Sequence, residues 1–182
     1  KIAVLISGRG SNMQALLEAA KDEDFPAEIV LVASNRPDAP GLAVAEAAGI
    51  ATEVVDHRDY DGREAFEEAL DSTLKMYGPR IVCLAGFMRI LTPWFTERWR
   101  DLLINIHPSL LPAFKGLHTH ERALEAGVRI HGCTVHYVRP EMDDGPIIGQ
   151  AAVPVLPGDT PDTLAARVLE AEHKLYPQCV AL

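Results

Sequence analysis

The chain has 182 residues, 48% of them hydrophobic, with a formal net charge of −9. That length can bury a sizeable core and predicts one domain spanning 1–182. The acidic balance excludes a nucleic-acid binder that relies on a broad basic surface, and no apolar run reaches the roughly 18 residues a membrane helix needs.

Apolar runs alternate with amphipathic stretches along the first two thirds of the chain. Ile2–Ile6 reads as a buried strand, and a glycine-rich turn leads into a helix over Ser11–Lys21. Glu28–Ala33 is a second strand, Gly41–Ala48 a helix, and Ala51–Val55 a third strand. Across Asp61–Tyr77 the residues Ala65, Phe66, Ala69, Leu70 and Thr73 recur at helical spacing. Arg80–Ala85 follows as a strand, a short helix starts at Thr92-Pro93, and Leu102–Ile106 is the fifth strand. This order predicts an α/β fold, a Rossmann-like three-layer α/β/α arrangement around a mainly parallel sheet. After Pro112 the pattern changes. A helix at His118–Ala126 ends on Gly127, and strands His131–Val138 and Ile147–Val155 flank a turn at Asp144-Gly145-Pro146. So short a connection predicts an antiparallel C-terminal part. The last helix is expected over Thr160–Tyr176, stopping before Pro177.

Asn105 and His107 are two apart, so at a strand end they project from one face while Ile106 points the other way. An amide can donate to a developing oxyanion, and an imidazole can donate or carry a proton. Asp143 can hold that imidazole protonated or relay protons through water. These are the parts required to move an acyl group onto an amine. Near the start of the chain, Ser7-Gly8-Arg9-Gly10-Ser11-Asn12 joins the first strand to the first helix, where free N–H groups favour an anion. Met13 stands where a dinucleotide fingerprint has its third glycine, and Ala33-Ser34-Asn35 lacks the acidic ribose hook. No Gly-Lys-Ser/Thr follows either. The loop is therefore expected to hold a single phosphate, against the alternative of a glycine turn that merely packs helix on strand.

Other chemistry is thin. His118, His120, His131 and His136 lack a zinc spacing, so no metal site is expected and the histidines read as structural or substrate-adjacent. Ser109 lacks the glycines of a nucleophile elbow. Cys83, Cys133 and Cys179 are odd in number and without CxxC spacing, which predicts reduced thiols. No leader-like segment is read before the first strand, so a cytoplasmic location is expected. The acidic stretch Asp56–Glu68 reads as a solvated helix face.

Gly8-Arg9-Gly10-Ser11-Asn12, Arg63-Glu64-Ala65-Phe66, Ala85-Gly86-Phe87-Met88-Arg89-Ile90-Leu91 and Asn105-Ile106-His107-Pro108-Ser109-Leu110-Leu111-Pro112 appear in that order. Gly116-Leu117-His118-Thr119-His120, Asp143-x-Gly145-Pro146 and Glu172-His173 continue the series to the C-terminal helix. With these blocks the chain resembles the phosphoribosylglycinamide formyltransferases, folate-dependent enzymes of the formyltransferase family. The resemblance implies transfer of a formyl group from 10-formyltetrahydrofolate to glycinamide ribonucleotide in purine synthesis. It implies catalytic Asn105, His107 and Asp143. Gly10, Ser11 and Asn12 would hold the phosphate with Arg63 as its charged partner, Glu172 the ribose, and Pro108 would border the substrate. Phe87, Met88, Arg89, Ile90 and Leu91 would line the folate cleft, closed by the loop carrying Val138, Arg139 and Glu141. Asp144 stands where the family often has glycine, and the D-x-G-P register favours Asp143 as the catalytic carboxylate. Folate would be a co-substrate, with no metal, ATP, nucleic acid or membrane involved and a monomer or homodimer as the assembly. Three rivals accompany this reading. They are 10-formyltetrahydrofolate hydrolase, methionyl-tRNA formyltransferase, which needs a further tRNA-binding domain, and a non-catalytic nucleotide-binding module.

Overall fold

The computed structural model describes residues 1–182. Its strands are β1 (Ile2–Ile6), β2 (Ile29–Ser34), β3 (Thr52–Val54), β4 (Ile81–Leu84), β5 (Leu103–His107), β6 (Ile130–Tyr137) and β7 (Ile147–Pro154). They form one seven-stranded sheet in the order β3-β2-β1-β4-β5-β6-β7. The pairs from β3 through β5 are parallel, whereas β5–β6 and β6–β7 are antiparallel, the latter as the short turn between those two strands required.

The helices are α1 (Ser11–Ala19), α2 (Pro40–Ala47), α3 (Arg63–Tyr77), α4 (Pro93–Arg98), α5 (Thr119–Ala126) and α6 (Pro161–Val180). They sort onto two faces because strand side chains alternate. Ile2, Val4 and Ile6 of β1 pack with Met13, Leu16, Leu42, Val168 and Tyr176, so α1, α2 and α6 cover one face. Ala3 and Leu5 pack with Phe66, Leu70, Leu74, Phe95 and Trp99, placing α3 and α4 on the other. β1 is buried at every position, as expected for a central parallel strand covered on both sides.

The strand order reverses direction between β1 and β4. In open α/β sheets ligands bind beyond the carboxyl ends of strands at such a switch point. Here those ends deliver Ser7 after β1, Ala85-Gly86 after β4 and His107 at the end of β5.

Three boundaries differ instructively from expectation. β5 runs one residue further, because His107 still pairs with Thr134 across β6 before Pro108 ends the ladder. α3 begins at Arg63 rather than Asp61, because Gly62 at φ 90° breaks the helical path. α6 does not stop before Pro177 but continues to Val180. Proline there removes one helical N–H and strains the preceding turn by roughly 3 kcal/mol. Leu175 and Cys179 flank it and are both buried in the first core, and Ala181 N–H closes back onto the Pro177 carbonyl at 3.0 Å. Burial of the last turn outweighs the break.

Candidate active site

Gly10 caps α1 in the left-handed conformation (φ 64°), and no side chain bonds the first turn of that helix. Its N–H groups are left for an anion. Gly8, Arg9, Gly10, Ser11, Asn12, Ala85, Gly86, Ile106, Pro108, Leu169 and Glu172 line a cleft of about 340 Å³. A larger depression of about 940 Å³ lies over α1 and α6. Apart from Ser11 it contains none of the expected site residues, several of which gather instead in the smaller cleft at the switch point.

One buried polar atom in the cleft has no partner of its own. Asn12 donates from Nδ2 to Glu172 Oε1 at 3.1 Å, while its Oδ1 is buried without a hydrogen bond. Buried polar atoms are seldom left so, and this one is placed for a donor from a ligand. Burial pushes the Glu172 carboxyl up to about 7, and the Asn12 amide only partly offsets it. Pro108 borders the cleft and its carbonyl accepts from Thr119 Oγ1 at 2.6 Å. Gly10, Ser11, Asn12, Pro108 and Glu172 are thus brought together as the sequence implied.

Arg63 is not among them. It stands exposed in the first turn of α3, on the sheet face opposite α1, and lies outside the cleft lining. Its neighbour one turn on, Glu67, bonds Thr92 N–H at 2.7 Å, so this helix face borders the segment after β4. The cation that does line the cleft is Arg9, an exposed residue that sequence reading treated only as part of the glycine loop. Its signal was available: a basic residue between two glycines at a helix start.

His107 is buried at the end of β5. Its Nε2 lies 3.0 Å from the Phe114 carbonyl, which can only accept, so this nitrogen carries hydrogen. Nδ1 is left to gain or lose a proton, and it faces Asp143 Oδ1 at 3.6 Å. Asp143 sits at φ 53° and its Oδ2 accepts from Gly116 N–H at 2.8 Å, which fixes the carboxylate. Asp144 turns away to Lys115 at 2.5 Å. Gly145 is dictated by contact, since a Cβ there would come within 1.6 Å of the Tyr137 carbonyl oxygen.

Asn105 Nδ2 lies 3.4 Å from His136 Nε2, and His136 Nδ1 lies 2.9 Å from the Tyr137 carbonyl. The carbonyl assigns the proton to Nδ1 and leaves Nε2 to accept from the amide. Burial lowers the His136 pKa, which keeps the ring neutral for that role. One amide hydrogen orients Asn105, and the second remains for an oxyanion. A register shift at Val135/His136 in β6 accompanies this placement. Ser109 is fully buried and donates to Ala113 O at 2.7 Å, so its hydroxyl shapes the loop after β5. His120 Nδ1 meets His131 Nε2 at 3.2 Å, and burial lowers His131 to about 4. No three His, Cys, Asp or Glu side chains gather at a spacing that could hold a metal ion.

The segment after β4 leaves Met88 and Ile90 about two-thirds exposed, while Leu91 is buried in the second core and Phe87 packs against it. Arg89 is half-buried between them. Val138 packs on the same core and Glu141 is exposed. Leu117 and Met142 are likewise exposed. Apolar side chains left open around a strand end form a receptive wall for a flat apolar ligand. Arg139 is engaged elsewhere, bonding Asp101 at 2.5 Å.

A glycine loop at a helix start, an amide–imidazole–carboxylate set and an open apolar wall lie on one doubly wound sheet, an arrangement suited to group transfer between two ligands. The formyl transferase family profile matches residues 1–180. The chain is 49% identical over 180 residues to Escherichia coli phosphoribosylglycinamide formyltransferase, covering 99% of this chain and 85% of that protein. It is 52% identical over 182 residues to the Gallus gallus trifunctional purine biosynthetic protein adenosine-3, of which it spans only 18%. A crystal structure of phosphoribosylglycinamide formyltransferase from Brucella melitensis superposes with a TM-score of 0.95 at 56% identity, over 99% of this chain and 93% of that one. The chain belongs to the formyl transferase family.

Proposed function

We propose that this chain transfers the formyl group of 10-formyltetrahydrofolate to the primary amine of glycinamide ribonucleotide, a step of purine biosynthesis. The observation that carries the reading is the position of His107 and Asn105 between an anion-ready loop and an exposed apolar wall. The neutral amine attacks the formyl carbon and a tetrahedral intermediate forms. Asn105 donates its free amide hydrogen to the oxyanion, and His107 holds a proton at Nδ1 that serves the same oxygen. Asp143, beside that nitrogen, assists passage of the proton from the attacking amine to the departing folate nitrogen as the old C–N bond breaks. Direct attack calls on neither ATP nor a metal. Holding two substrates in one cleft supplies much of the rate.

Gly10, Ser11 and Asn12 take the phosphate, with Arg9 as the near cation, and Glu172 takes the ribose hydroxyls. Met88 and Ile90 receive the pteridine beside Phe87, Arg89 and Leu91, and the loop carrying Val138 and Glu141 closes over it, with the Arg139 guanidinium held on Asp101. Arg63, on the opposite sheet face from α1 and outside the cleft lining, suits the folate side better than the phosphate. We assign 1–182 to one catalytic domain acting in the cytoplasm as monomer or homodimer, with no nucleic-acid or membrane partner. The test is absorbance-monitored turnover of a formyl-folate with and without glycinamide ribonucleotide. Strict dependence on the amine is expected. Equal deformylation in its absence would move the chain to the hydrolase reaction.

A further inference from the structure

Ser7 is buried at the junction of β1 and the phosphate loop, yet its bonds run to the other subsite. Its hydroxyl accepts from Met88 N–H at 2.8 Å and donates to Asn35 Oδ1 at 2.5 Å. Its own N–H reaches the Gly86 carbonyl at 3.2 Å. Asn35 Nδ2 lies 3.2 Å from His57 Nδ1, so the hydroxyl cannot swing away without breaking a chain of bonds. The far end of the same segment is held by Glu67, a carboxylate 1% exposed on α3. Glu67 accepts from Thr92 N–H at 2.7 Å and also from the Thr92 hydroxyl. Between these anchors, Met88 and Ile90 project into solvent with little packing to fix them. One serine and one glutamate are therefore the polar anchors of the backbone at 86–92, beside the packing of Phe87 and Leu91 on the second core.

We infer that Ser7 and Glu67 are positioning residues that pin segment 86–92 in its folate-receptive form, and that Ser7 joins the two substrate subsites. Residue 7 leads directly into Gly8–Asn12, so a phosphate drawn onto this loop pulls on the same residue whose hydroxyl holds Met88. Binding of one substrate then favours the other, and the effect is reciprocal. This inference rests on the assignment of 86–92 to folate made above.

The experiment measures the affinity of a non-reactive folate analogue by calorimetry, with and without glycinamide ribonucleotide, in the intact chain and three variants. Glu67→Gln is expected to weaken the analogue about tenfold, because one of the two acceptors for Thr92 becomes a buried donor, while the ribonucleotide still tightens it. Ser7→Ala is expected to weaken it about fivefold and to abolish the tightening, because the hydroxyl's two neutral hydrogen bonds, to Met88 and Asn35, are removed. In turnover, both changes should appear in the folate KM more than in kcat. Asp71→Asn is the structural control. Asp71 is a buried carboxylate one turn along α3 that bonds Arg98 and Trp99 rather than segment 86–92. It should lower the Tm without altering analogue affinity. If Glu67→Gln and Ser7→Ala behaved as Asp71→Asn does, the positioning role would be overturned. If the ribonucleotide tightened the analogue equally in Ser7→Ala and the unaltered chain, the joint would be overturned. Absence of analogue binding to the unaltered chain would instead overturn the assignment of the folate site.

Discussion

One nitrogen of His107 is already committed to the Phe114 carbonyl, so any chemistry at this ring occurs at Nδ1, opposite Asp143. His107→Ala is expected to retain the fold and lose about 10²–10³-fold in kcat, the usual effect of removing one preorganised oxyanion donor. Asp143→Asn should fall in the same direction, whereas Asp144→Asn, which gives up only its contact with Lys115, should leave turnover within about twofold. Single-turnover rates with circular dichroism as the fold check decide this. A fast Asp143→Asn variant beside a slow Asp144→Asn variant would reverse the two assignments. The two arginines give a second test. Arg9→Ala should raise the ribonucleotide KM about tenfold, since a charge-assisted phosphate contact contributes about 1.5–3 kcal/mol. Arg63→Ala should act on the folate KM instead, and a larger effect of Arg63 on the ribonucleotide would undo the placement argument.

At the scale of elements, α6 carries both stability and function on one buried face. Glu172 lies there among core residues, held at about 7 against the ordinary 4.5 by burial. A carboxyl raised in the folded state favours folding only while protonated. Between pH 4.5 and 7 the unfolded chain ionises first, so stability falls across that window, by about 3 kcal/mol once pH exceeds 7. Glu172→Gln removes this penalty. Its Tm should match that of the unaltered chain near pH 5 and exceed it at pH 8, while ribonucleotide binding weakens. A Tm difference that is equal at both pH values would show that the carboxyl does not titrate as burial dictates. The same helix explains why Pro177 was misread as its end. A rule about local backbone chemistry met a last turn whose Cys179 is buried against β7 and the rest of the first core.

For the whole molecule, the sequence by itself determined the class of the sheet and most of its contents. Alternation of apolar runs with helical spacing has few solutions, and a short turn between the last two strands permits only an antiparallel pair. Asn105 and His107 were legible because strand alternation is local, and the glycine loop because a helix start needs no tertiary information to attract an anion. What tertiary structure alone decided concerns residues far apart in the chain. Whether Asp143 or Asp144 faces the imidazole depends on a left-handed backbone at Asp143 and on Gly116 across the cleft. Arg63 and Arg9 are both basic residues near a loop in sequence, but only the sheet, by putting α3 and α1 on opposite faces, separates them. The reach of Ser7 to Met88 and of Glu67 to Thr92 spans 81 and 25 positions. No periodicity encodes such pairs. The first arises because a parallel sheet brings the ends of non-consecutive strands side by side, the second because α3 packs beside the segment after β4, and both adjacencies are properties of the fold.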